Sequence, residues 1–201
     1  MANGSLYAQA EEFADELGSL LKRTLPFAPM GVAEVAGDRV IVRPDADGVR
    51  VPLFISGDQL ASLEVRLQCQ LDSRGRWLAV ANSRFTLTAA VDRTPVLRFE
   101  YMRDAQSSPS AHLQVHAHRG ALTHLLSRSG HAKPHEMSAL HLPVGGARFR
   151  PCLEDLIQFL LEECRFDPEP GWQTAIREGR ERWRRRQARA VIRDFEDEAV
   201  A

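Results

Sequence analysis

From Leu63 to His118 the chain alternates apolar and polar residues with few interruptions, and a period of two folds readily only as sheet. Leu63, Val65, Leu67, Cys69 and Leu71 share one parity, and Glu64, Arg66, Gln68 and Gln70 the other. Ser73-Arg74-Gly75 then makes a hairpin loop. Trp77 to Ala89 returns as a long strand with a bend near Asn82-Ser83. Asp92-Arg93-Thr94 turns the chain again into Val96 to Met102, with Leu97, Phe99 and Tyr101 inward. Upstream, Val35 and Val40 to Val42 form a short pair turning at Gly37-Asp38. A second turn at Pro44 to Gly48 leads into Val49 to Ile55. Loops this short join neighbouring antiparallel strands and exclude βαβ crossovers.

Helical periods flank the strands. Behind a candidate N-cap at Ser5, Leu6, Ala10, Phe13, Ala14, Leu17, Leu20 and Leu21 recur every three or four residues. After the strands, Leu153, Leu156, Ile157, Leu160 and Leu161 make a second stripe, with Glu154 and Asp155 in a first turn where the helix dipole favours acids. The expected fold is therefore α+β: an antiparallel meander of about six or seven strands with N-terminal and C-terminal helices on one face. Residues 1–166 form that domain. Residues 167–201 form a basic helical extension that projects from it and seeks contacts elsewhere.

The last strand of the meander carries the chemistry. All seven histidines of the 201-residue chain fall between His112 and His141. In Ala111-His112-Leu113-Gln114-Val115-His116-Ala117-His118, strand geometry puts His112, Gln114, His116 and His118 on one face and Leu113, Val115 and Ala117 in the core. Ala139 to Val144 repeats the pattern, with His141 on its polar side. Imidazole titrates near neutrality, so His116, His118 and His141 are candidate catalytic acids and bases. His112, Arg148 and Arg150 are candidate substrate contacts, the arginines suiting phosphate through bidentate hydrogen bonds. The same histidines, His112, His116, His118 and His141, are also candidate ligands for a divalent metal. That metal is not required by the sequence. Glu100, Asp104 and Glu136 are the carboxylates nearby. On this reading the chain is a hydrolase or nuclease; a solvated face that performs no chemistry explains the same alternation.

The final segment is different again. Arg182, Arg184, Arg185, Arg186 and Arg189 crowd one stretch of helix, which can meet nucleic acid or a protein partner. The acidic end Glu196-Asp197-Glu198 could fold back on them. Lysine occurs only at Lys22 and Lys133, and the formal net charge is -1. Cys69, Cys152 and Cys164 form no C-x-x-C pair, which points to a reducing cytoplasm. No apolar run is long enough to cross a bilayer. Oligomeric state is left open.

Arg98-Phe99-Glu100-Tyr101, His116-Ala117-His118 and Leu153-Glu154-Asp155-Leu156-Ile157 together resemble the central and C-terminal part of TumE-family toxins. In that family an R-[FY]-[DE]-x strand precedes an H-x-H strand and a Leu-Glu-Asp-Leu-like helix. The resemblance covers about a third of the chain, and it omits the insert Arg119 to Met137 and the arginine helix. It implies the small antiparallel sheet plus helices of a toxin–antitoxin component and carries over no residue roles; the function expected beside it is an effector acting on nucleic acid through the histidine face, with a neutralising antitoxin as partner. The alternative is a non-enzymatic module that docks a protein partner through the basic C-terminal helix.

Overall fold

A computed structural model describes residues 5–44, 50–91, 93–106, 108–117, 120–128, 130–145 and 150–194. His118, Arg148 and the acidic end at 196–198 lie outside them. The helix α1 (Leu6–Lys22) begins at Ser5, whose hydroxyl oxygen accepts the Ala8 backbone N–H at 3.2 Å. Strands β1 (Gly31–Ala36), β2 (Arg39–Pro44), β3 (Val51–Ile55), β4 (Asp58–Leu71), β5 (Leu78–Ala89), β6 (Pro95–Met102), β7 (Ala111–Val115) and the two-residue β8 (Leu142–Pro143) follow. They form one antiparallel sheet of eight strands in the order β1-β2-β4-β5-β6-β7-β8. The fourteen-residue β4 is long enough to hold β3 and β2 end to end along one edge while β5 pairs along the other.

Cross-strand register settles which residues meet. Directly opposed residues project from the same face of a sheet. Val65, Phe85, Phe99 and Leu113 therefore make one apolar row, and Leu63, Leu87, Leu97 and Val115 the next. The first three members of each row join the core, against Ala10, Ala14, Leu17, Leu20 and Leu21 of α1 and Leu153, Leu156, Ile157 and Leu160 of α3 (Leu153–Glu162). The other face carries Glu64, Thr86, Arg98 and Gln114 in one row, and Arg66, Arg84, Glu100 and His112 in the next. The expected bend in β5 is present as a register shift beside Gln68 and Cys69 of β4.

Two tight fits orient the helix on the sheet. A Cβ on Gly31 would stand 1.8 Å from the Ala14 carbonyl oxygen, and one on Gly18 would stand 2.4 Å from the Gly31 nitrogen. Both neighbours are backbone, so nothing flexible can yield. Gly31→Ala is expected to destabilise the chain by about 3 kcal/mol, the upper end of what overpacking costs. A urea midpoint within about 0.5 kcal/mol of the wild type would show that α1 can shift freely.

Ser56 and Gly57 both take positive φ, 53° and 86°, and close the β3–β4 hairpin. The Asp167 carboxylate accepts both of their backbone N–H groups, at 3.0 and 2.9 Å. The Asp167 N–H in turn donates to the Phe54 carbonyl at 2.7 Å. The chain leaving α3 is thereby tied to the sheet, which sets where the next helix starts.

That helix, α4 (Trp172–Asp194), does not project as its composition suggested. Ala175 and Ile176 are 1% and 3% exposed and belong to the core cluster. Arg180 Nε donates to Asp155 of α3 at 2.9 Å, Arg23 reaches Glu178 at 2.8 Å, and Arg186 pairs with Glu16 of α1. Arginines on its inner flanks thus meet acidic residues of α1 and α3. Composition along the chain carries no trace of such cross-helix pairing.

The polar parity of β7 also behaves differently from expectation. His112 is 2% exposed and Gln114 9%, whereas Leu113 and Val115 are only partly buried and Ala117 is exposed beyond the strand end. The physical reason is a roof. After the short helix α2 (Gly120–Arg128), the chain returns past the polar face through the 3₁₀ turn Met137–Ala139, where Gln114 meets Ser138, and then joins the sheet edge as β8. Of the second histidine strand expected over Ala139 to Val144, only Leu142 and Pro143 pair with β7. Pro143 has no N–H to extend the ladder.

Candidate functional site

Under this roof, at the β6–β7 end of the polar face, four chemically active side chains meet. His112 Nδ1 lies 2.8 Å from the Pro109 carbonyl oxygen. A carbonyl can only accept, so Nδ1 carries the hydrogen and donates. That leaves His112 Nε2 facing Glu100 Oε2 at 3.5 Å. The two atoms face each other without a hydrogen bond between them. Glu100 also accepts from Arg84 Nε at 2.6 Å, and its side chain is only 12% exposed. Buried carboxylate charge requires such partners.

His141 completes the group. Its ring meets the His112 ring edge to face, centroids 4.6 Å apart and planes at 77°. Gln114 Nε2 donates to the Ser138 carbonyl at 2.9 Å and lies 3.3 Å from His141 Nε2. With both amide hydrogens so used, His141 Nε2 acts as acceptor and the ring is neutral. Its pKa is displaced in the same sense. Burial lowers it, the neighbouring His112 lowers it further, and Glu100 opposes both. His116, just past the end of β7, is likewise lowered by burial and by Arg98, against the pull of Glu100. Glu100 is therefore the charge that the three histidines share.

Buried polar atoms without a hydrogen-bond partner among the described residues concentrate on this face: Thr86 Oγ1, Thr88 Oγ1, Arg98 Nε, His112 Nε2, Gln114 Oε1 and His116 Nε2. A purely structural polar network satisfies itself. This one presents several groups that a ligand could satisfy.

The expected residues are divided by the fold. His112 and His141 come together beside Glu100, whereas His116 sits farther along, past the end of β7 and opposite Val96. Arg150 does not join them: its guanidinium lies 3.9 Å from the Tyr101 ring centroid, on the sheet face opposite the Glu100 and His112 side chains, where it lines a cleft of about 10 Å³ with Phe85, Phe99 and Ala111. That volume suits about one water. His118 and Arg148 lie outside the described residues. His124 and His135 are exposed, and His131 Nδ1 accepts the Lys133 N–H in its own loop. Of the carboxylates near in sequence, Glu136 pairs with Lys133, and only Glu100 reaches the histidines. Arg84, Ser138 and the Pro109 carbonyl were not singled out by the sequence. The register signal for Arg84 was available, because Arg84, Glu100 and His112 fall in one row once the hairpins are closed.

Among the described residues, no group of three or more His, Cys, Asp or Glu side chains is arranged to hold a metal ion. Nor do the cysteines offer a nucleophile. Cys69 is fully buried and burial pushes its thiol up to about 12, and Cys152 is raised by burial and by Glu154 and Asp155. The basic helix α4 lies with α1 and α3 on the apolar side of the sheet, opposite the histidines. No helix among the described residues is long and apolar enough to cross a membrane. Compared with known proteins, the chain matches no family model, no curated protein and no solved structure.

Proposed function

We propose that this chain is an effector of the toxin–antitoxin kind that cleaves RNA by acid–base chemistry at the Glu100–His112–His141 group. The observation that carries the reading is the grouping: the His141 ring, its pKa lowered, meets the His112 ring edge to face, and His112 Nε2 faces the Glu100 carboxylate. Acid–base cleavage of a phosphodiester needs those two partners together. As the Gln114 amide gives way, His141 Nε2 takes the proton of the ribose 2′-hydroxyl while the 2′-oxygen attacks phosphorus. The proton held by His112 and Glu100 passes to the departing 5′-oxygen, leaving a 2′,3′-cyclic phosphate and a 5′-hydroxyl. Gln114 sets the His141 ring before substrate arrives.

Incubation of the purified chain with end-labelled RNA tests the reading. Cyclic-phosphate ends should appear, and His141→Ala should lower the rate by a factor of about 10² to 10⁴, the usual contribution of a positioned acid or base. Undiminished cleavage by a folded His141→Ala chain, or no cleavage by the wild type, removes the proposal.

A further inference from the structure

We infer that the outward face of α4 is a docking surface for the phosphate backbone of a nucleic acid, separate from the histidine site. The inner stripe of α4 is committed to the fold through Ile176, Gly179 and the half-buried Trp183. Two of its outward acids are already neutralised, Glu178 by Arg23 and Glu181 by Arg185. What remains exposed is cationic. Arg182, Arg184 and Arg189 make no hydrogen bond or ion pair among the described residues, and Arg177 touches only the Thr174 hydroxyl. At 100° per residue, Arg177 and Arg184 lie on one flank of the outer face and Arg182 and Arg189 on the other. Within each flank the two are about 10.5 Å apart along the axis. Two rows of guanidinium groups on a straight rod suit a chain of regularly spaced phosphates.

The character of the face selects this occupant over others. A protein interface is organised around buried aromatic or aliphatic anchors. This face offers a single large aliphatic side chain, Ile192. A helix that lies in a membrane surface buries Trp, Phe or Leu on its apolar side, but Trp172 of α4 packs against the core. The inference does not depend on histidine chemistry, because α4 and the histidines occupy opposite sides of the sheet.

The test is fluorescence anisotropy with labelled duplex RNA, duplex DNA and single-stranded RNA between 50 and 200 mM KCl. The full chain is compared with R182A/R184A/R189A, whose substitutions fall on exposed side chains and should leave the urea midpoint unchanged. Four phosphate contacts predict about a 150-fold loss of duplex affinity for the wild type over that range, and one remaining contact only about 3- to 4-fold for the variant. Duplex DNA, which lacks the 2′-hydroxyl that the histidine site acts on, should bind about as tightly as duplex RNA, which separates this surface from the catalytic reading. Equal affinity and salt slope in the triple variant overturn the inference. So does equally tight binding of polyglutamate or of phosphatidylserine vesicles, which would assign the surface to a protein or a membrane.

Discussion

A chain ended at Gly171, lacking α4, is expected to lose cooperative unfolding or most of its stability. The helix supplies Ala175 and Ile176 to the core and packs Trp172 against it. Fully burying a side chain of the size of Ile contributes about 1.5–3 kcal/mol, and a domain has only about 5–15 kcal/mol in total. Arg180 adds hydrogen bonds to Asp155 at 2.9 Å and to Gln158 at 2.6 Å, and its removal leaves both without their partner. The point variant Ile176→Ala should cost about 2–4 kcal/mol by itself, as large-to-small core changes do. Urea unfolding followed by tryptophan fluorescence would measure both. If the shortened chain unfolds with the midpoint of the full chain, α4 is an appendage after all.

That expectation reverses what the segment's composition suggests, and the reversal shows where sequence reading stops. The meander was legible because each strand declares its own faces by parity, and short loops leave little choice of partner. Ser5, the α1 stripe and the α3 stripe were legible for the same reason: their signals are local. Docking of α4 was not. It depends on Gly179 and Ala175 letting two helices approach, and on arginines meeting acids up to 170 residues away in sequence. Likewise Gly18 and Gly31 look like ordinary glycines until the helix and strand they separate are brought into contact.

The candidate site was half legible. Parity placed His112 and Gln114 together, and Glu100 stood out as a nearby carboxylate. Parity alone could not say that the polar side of β7 would be the more deeply buried one. That outcome depends on the roof at residues 137–143, a 3₁₀ turn and two strand residues whose pattern resembles a full strand in sequence. The same roof brings His141 to His112. Without it the histidines would be a solvated face, the bland reading of the same residues.

Glu100→Ala is expected to be the most damaging single change on the polar face. Glu100 is the partner of His112, which is 2% exposed, and of Arg84. Removing its carboxylate leaves the buried His112 ring without its polar neighbour, and an unsatisfied buried polar group costs about 1–3 kcal/mol. Arg84→Ala should cost under about 1 kcal/mol, since that side chain is 53% exposed and solvent can replace it. Cleavage should vanish in the glutamate variant and persist in the arginine one. The pH dependence adds an independent readout. His116 and His141 titrate below the usual imidazole value of about 6.5 in the folded chain, so the fold favours their neutral forms. Above pH about 6.5 both states are neutral at these rings and stability is flat. As pH falls below it, the unfolded chain takes up protons that the folded chain does not. Stability then declines until the lower folded values are passed. Glu100 raises both rings, so Glu100→Gln, which keeps the shape without the charge, should lower them further and extend the decline to more acidic pH. Ring-proton titration by NMR and urea midpoints between about pH 4 and 8 would measure this shift directly. An unchanged or upward movement of the His141 titration in Glu100→Gln would mean that Glu100 is not the charge these histidines share.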